Sequence, residues 1–396
     1  MISRQFVALA TLATAVGAQQ YHLSMDFSGP NFFEGFKYNE SAIDSNNFGN
    51  VHFLGQDQAL ASNLTFVDSN GHAIIKVDNT TNGAGDPIFG RNTVYLMSNE
   101  MMSIGSLLVF DANHIPFGCS VWPALFTQGQ QWPEQGEIDI VEQVNRATKN
   151  QYSLHTGVTA GTCMQADNTN QTGKPTSTPN NCTVVPEINQ NTGCVVQDAS
   201  DNSFGSGFNR NGGGVYAMLW DENGIAMWFW ERNSAIPSRI DTNPDPTKFS
   251  TPAAFFPASG CNPSTAFGPQ IITLYIDICG AFAGNDQVFQ QTCGSVAPNC
   301  ADLVRDPANY ADAYWDINYL RVFTASNTSN STPTVSSDPG QGPTATTAGG
   351  GGSSTSPSSG NTSDNAGGNS ALSLSTSGTT MMSTLALFLG VAALGL

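Results

Sequence analysis

Two neighbouring runs, Val215–Trp220 and Ile225–Trp230, constrain the fold more than any other feature of the chain. Between them stands Asp221-Glu222-Asn223-Gly224, a string whose residues favour a tight turn, so the two runs read as a hairpin. In the second run Ala226, Trp228 and Trp230 fall on one face of an extended strand, and Ile225, Met227 and Phe229 on the other. A strand apolar on both faces cannot lie on a solvated sheet, so it belongs inside a layered β structure. Further short β-rich runs recur between Gly, Asn, Asp and Pro: Ala73–Val77, Ser106–Phe110, Ile271–Ile278 and Tyr319–Phe323. Helical periodicity is scarce, and there is no internal repeat and no Rossmann or P-loop glycine pattern. The expected fold is all-β, a β-sandwich of jelly-roll type whose concave sheet binds the substrate.

The ends of the chain read differently. Residues 1–18 carry Arg4, an apolar run from Phe6 to Val16 and a small-residue exit, the pattern of a cleaved signal peptide. Residues 19–324 form the expected folded domain. Residues 325–369 turn to Ser, Thr, Gly and Pro, which cannot bury enough surface to offset ordering entropy, and read as a disordered, O-glycosylated stalk. Residues 370–396 complete a small site, polar spacer and short uncharged tail, the pattern of a GPI-attachment signal, with Asn369 as the favoured anchor residue. The expected location is the extracellular face of the membrane, through a GPI lipid in the outer leaflet, or the cell wall.

Eight cysteines fit disulfides in a secreted chain, and their spacing does not suit a zinc site. Glycosylation sequons stand at Asn39, Asn63, Asn79, Asn170, Asn181, Asn327, Asn330 and Asn361. A net charge of −18 with only 13 basic residues argues against a nucleic-acid partner. A neutral polymer suits the low charge and ample aromatic content. A monomer is expected, with no cofactor and no metal.

The segment Trp132-Pro-Glu-Gln-Gly-Glu137-Ile-Asp139-Ile-Val-Glu142 carries the chemistry. As a helix, at about 100° per residue, it would scatter Glu137, Asp139 and Glu142 in separate directions. As a strand it places Glu137 and Asp139 on one face and Ile138 and Ile140 on the other. Glu142 would then point the wrong way, unless one β-bulge near Ile140–Val141 returns it to the carboxylate face. Carboxylates repelling one another on one face need a reason, and glycoside hydrolysis supplies one. A retaining enzyme sets a nucleophile and an acid/base carboxyl about 5–5.5 Å apart. The two glutamates start roughly 13 Å apart along the strand and must lean together across a concave sheet.

Gly136–Glu142 resembles the signature of glycoside hydrolase family 16 in its bulged, laminarinase-like form. The likeness extends over most of residues 20–323: Phe89–Leu96, Cys119-Ser-Val-Trp122-Pro-Ala, His155-Thr156, Cys279–Gly284 and the stretch that begins at Trp315. It implies that Glu137 is the nucleophile, Glu142 the general acid/base, and Asp139 the group that tunes Glu137. Trp122, Trp132 and His155 are the substrate-side candidates; His155 reads equally as a hydrogen-bonding neighbour of the catalytic groups or as a structural histidine. Trp228 and Trp230 are expected in the core, and Glu134 as a loop charge. Asp316 matches a position where some relatives hold structural calcium, but no metal is expected here. The resemblance implies a fungal GPI-anchored endo-1,3(4)-β-glucanase that hydrolyses β-glucan polysaccharide. Wall transglycosylation by the same chemistry is the alternative, and the fungal chitin–glucan enzymes carry a motif one residue shorter, without Val141. A non-catalytic glucan-binding lectin is the alternative of another class.

Overall fold

The computed structural model describes residues 19–326, except 167, 178–179 and 186–189. The expected leader (1–18), nearly all of the stalk, the attachment tail, and Asn327, Asn330, Asn361 and Asn369 lie outside the described residues.

Two large antiparallel sheets face each other. The first runs, in order, Ala254–Pro257, Gly224–Glu231, Gly214–Asp221, Ser106–His114, Tyr314–Ala325, Ala73–Lys76 and Thr65–Val67, with Tyr21–Ser28 also paired to Tyr314–Ala325. The second runs Lys174–Pro175, Cys194–Gln197, Gln151–His155, Glu137–Glu142, Val121–Gly129, Gln270–Ile278, Tyr95–Met102 and Phe36–Tyr38. The core lies between them: Leu108, Phe110, Tyr216, Met218 and Trp315 from the first sheet meet Leu125, Ile138, Leu154, Leu274 and Ile276 from the second. The expected sandwich is therefore present.

The hairpin forms as read, closing from Asp221 to Gly224. Its two apolar faces have different partners. Ile225 and Met227 enter the core between the sheets. Ala226, Trp228 and Trp230 join a second cluster with Val109, Val215, Phe323 and Ile240, against which Phe249 packs. Trp228 Nε1 donates to the carbonyl of Ser250 at 2.7 Å. A loop thus covers the outward face, so both tryptophans are core residues, each 6% exposed.

All eight cysteines pair, as Cys119–Cys293, Cys163–Cys261, Cys182–Cys194 and Cys279–Cys300. The Asp316 carboxylate is taken up by side chains: His72 Nδ1 lies 3.0 Å from it and Asn113 donates to it at 3.1 Å. Of the sequon asparagines described, Asn39, Asn63 and Asn170 are exposed, whereas Asn79 and Asn181 are partly buried. Among the described residues no helix is long and apolar enough to cross a membrane.

Candidate active site

The acidic segment is the strand Glu137–Glu142, fourth in its sheet. It begins after Gly136, whose φ of +73° and packing leave no room for a side chain: a Cβ there would lie 2.3 Å from the Phe267 ring. Glu137 pairs with Gln128 and His155, and Asp139 with Phe126 and Ser153. Register then slips, and Glu142 pairs with Ala124 and Gln151. The slip is the expected bulge. Ile140 and Val141 both turn into the core, each fully buried beside Ile138, and Glu142 comes back to the face of Glu137 and Asp139.

A residue with no sequence signal completes the bulge. Asn150 is fully buried; its Oδ1 accepts from the Glu142 amide at 3.0 Å and its Nδ2 donates to the Ile140 carbonyl at 2.9 Å. It satisfies backbone groups that the slipped ladder leaves unpaired.

Each carboxylate has its own partners. Trp132 Nε1 donates to Glu137. Ser153 Oγ donates to Asp139 at 2.6 Å, and His155 Nε2 lies 3.2 Å from the same oxygen. Glu142 accepts from Trp122 Nε1 at 2.9 Å and from Gln151 Nε2 at 3.2 Å. Of the two candidate tryptophans, Trp132 is 41% exposed and can offer a ring to a sugar. Trp122 is 7% exposed, edge-on to Tyr275 and Phe282, so its indole N–H is the part that reaches the site. Sequence reasoning placed both tryptophans nearby but missed Asn150, Gln151 and Ser153, whose side chains are common polar types in unremarkable contexts. Glu134, read as a loop charge, accepts from the backbone N–H and hydroxyl of Thr159, tying the Trp132 loop to the next one.

Burial, reinforced by the Asp139 charge, pushes Glu142 up to about 7, against the pull of the Trp122 hydrogen bond. The same two causes raise Glu137 well above the usual carboxylate range. For His155, burial opposes protonation, but its hydrogen bond to Asp139 and the surrounding carboxylates win and push it up to about 9. The patch therefore holds a proton among its carboxyls near neutrality, a property of the set rather than of one residue. The His155 charge lowers the proton affinity of both glutamates, and indole N–H donors reach each of them. Glu137, Asp139 and His155 are close enough to hold a cation.

The arrangement has close counterparts. A family model described as an XgeA-like, catalytic GH16 domain matches residues 36–323. An endo-1,3(4)-β-glucanase of Arthroderma benhamiae is 33% identical over 312 residues, covering 78% of this chain and 66% of its own length. Laminarinase 16A of Phanerochaete chrysosporium, solved with β-glucans (6-O-glucosyl-laminaritriose) in donor and acceptor sites, matches with a TM-score of 0.70 at 35% identity. That match covers 77% of this chain and 100% of that one. A solved elongating β-1,3-glucosyltransferase of the same family matches with a TM-score of 0.69 at 36% identity, over 77% and 100% of the two chains. With the bulged carboxylate strand, two facing sheets and a catalytic-domain match over most of its length, the chain belongs to glycoside hydrolase family 16.

Proposed function

We propose that the protein is a retaining endo-β-glucanase, hydrolysing 1,3- and mixed 1,3/1,4-linked β-glucans through a covalent glycosyl-enzyme. One observation carries the reading: the bulge puts Glu137 and Glu142 on one face, with Glu142 lifted to about 7 and each held by a separate indole donor. Glu137, as the anion, attacks the anomeric carbon and forms an ester to the sugar, while the bond to the leaving oxygen breaks. Glu142 gives its proton to that oxygen. It then takes a proton from water as the water attacks the same carbon, and the ester breaks to restore Glu137. Asp139, held by Ser153 and His155, stands between the two glutamates and raises the proton affinity of both. Trp132 offers the open ring for stacking a glucosyl unit. No cofactor enters these steps.

The names of the relatives support this substrate class, and the likeness to an elongating β-1,3-glucosyltransferase supports a second reading, transfer of the glycosyl group to a sugar. The leader and tail motifs support a GPI-tethered enzyme at the outer membrane face or in the wall. Incubating the purified protein with laminarin, barley-type glucan and cellulose, and resolving products by size, tests the reading. Shortening of the first two is expected and is lost in Glu137→Gln. Products longer than the starting oligosaccharide would move the assignment to transfer, and no cleavage of any substrate would overturn it. Release of the protein from membranes by a phosphatidylinositol-specific phospholipase tests the anchor.

A further inference from the structure

The catalytic strand divides the carboxylate face into unlike halves. On one side Phe126, Tyr275, Tyr95 and Met97 share that face through their register, an aromatic and thioether floor. The other side is polar. There Glu142 pairs with Gln151, Gln151 with Gln197, and Gln197 with Lys174. Residues directly opposite across adjacent strands project to the same side, so these four form one line. Three strand steps of ~4.8 Å make it about 14 Å long.

The parallel lines offer no polar side chain one strand beyond the catalytic pair. Outward from Asp139 and Ser153 lies Val195, buried, with its backbone bonded by Thr176 and by the Asn180 side chain. Outward from Glu137 and His155 lies Gly193, so close that a Cβ there would meet the imidazole at 2.8 Å. On the Glu142 line Gln197 and Lys174 are both exposed, and among the described residues neither side chain has a hydrogen-bond or ionic partner.

We infer that Gln197 and Lys174 form an acceptor shelf, which holds the hydroxyls of an incoming β-gluco-oligosaccharide in line with Glu142. The inference rests on the retaining reading above. The rings of the apolar half are nearly buried, so the open Trp132 ring beside Glu137 is the stacking surface for a donor sugar; the polar half has only hydrogen bonds, with an amide that both donates and accepts and an ammonium that donates. Gln151 stands between Glu142 and Gln197 in the register, its Nε2 donating to Glu142 at 3.2 Å and its Oε1 accepting from Gln143 at 3.3 Å. A seated acceptor gives its hydroxyl proton to Glu142, its oxygen bonds to the anomeric carbon, and the ester to Glu137 breaks. The shelf thereby sets how often the glycosyl group passes to sugar rather than to water.

The test uses the full chain, a laminari-oligosaccharide donor and a rising concentration of laminaribiose as acceptor. The readout is the ratio of transfer products to hydrolysis products. Gln197→Ala should lower that ratio about five-fold, the effect expected of one lost neutral hydrogen bond, and Lys174→Ala by about ten-fold or more, because its hydrogen bond carries a charge. An unchanged ratio in both variants overturns the shelf. So does a parallel fall of transfer and hydrolysis, which would put these residues on the donor side, or a wild type that cleaves glucan but transfers nothing at saturating acceptor. A wild type that cleaves no β-glucan sinks the glucanase reading itself, a different result from any of these.

Discussion

Asn150 takes the place of a ladder partner for Glu142: its side-chain oxygen accepts the Glu142 amide at 3.0 Å, and its nitrogen reaches the Ile140 carbonyl at 2.9 Å. The bulge that brings three carboxylates to one face is thus closed by one amide just ahead of the neighbouring strand. Asn150→Ala leaves a buried N–H and a buried C=O unpaired, at a cost of about 2–4 kcal/mol. Denaturant unfolding should show that loss, and kcat should fall more than KM rises, because Glu142 loses its anchor while Trp132 keeps its place. A variant with wild-type stability and kcat would remove Asn150 from this role.

The pH profile of kcat/KM should report Glu142. In the proposed mechanism it acts first as an acid, so activity should decline as pH rises through about 7, where its proton is lost. The Trp122 N–H favours the ionised form, so Trp122→Phe raises the proton affinity and moves the alkaline limb to higher pH. A limb that stays put, or moves down, contradicts this coupling.

Stability should favour acid. Asp277 is fully buried against Asp44, with no neighbour donating to its Oδ2, and its carboxyl is raised well above the usual range by burial and then by the Asp44 charge. A raised folded value means that the native state holds the proton more tightly than the unfolded one. The stabilisation is then complete below about pH 4 and is lost as pH rises toward the folded value. Glu142 adds a loss up to about 7, and His155 a further one up to about 9. The Tm should therefore fall from pH 4 to pH 9. Asp277→Asn keeps the shape without the charge, and should raise Tm at pH 7 while leaving it nearly unchanged at pH 4; equal effects at both would count against a buried, protonated Asp277.

Gly136 tests how the strand is aimed. Its φ is +73° and a Cβ would collide with Phe267, whereas Gly71, at φ +86°, has open space around it. Gly71→Ala should cost only the backbone term, about 1 kcal/mol, with activity intact. Gly136→Ala should cost about 2–4 kcal/mol and sharply lower kcat, because relief of the clash shifts Glu137. Equal melting temperatures and activities for the two variants would show that the packing around Gly136 is not needed.

The chain alone determined a good deal. Alternation in Ile225–Trp230 required burial on both sides, and the spacing of Glu137, Asp139 and Glu142 required a strand with a single bulge, because period-2 geometry allows no other common face. Both requirements are local, so a sequence can carry them. What covers the outer face of the hairpin was not legible: the loop containing Phe249 does so by packing, which no spacing encodes. Nor were Asn150, Gln151 and Ser153, since a partner on the next strand is chosen by register. The roles of the two tryptophans near the site parted for the same reason: the core closed over the Trp122 ring and left Trp132 open. Strand pairing, set by the whole sandwich, also decided that Glu142, Gln151, Gln197 and Lys174 stand in one line.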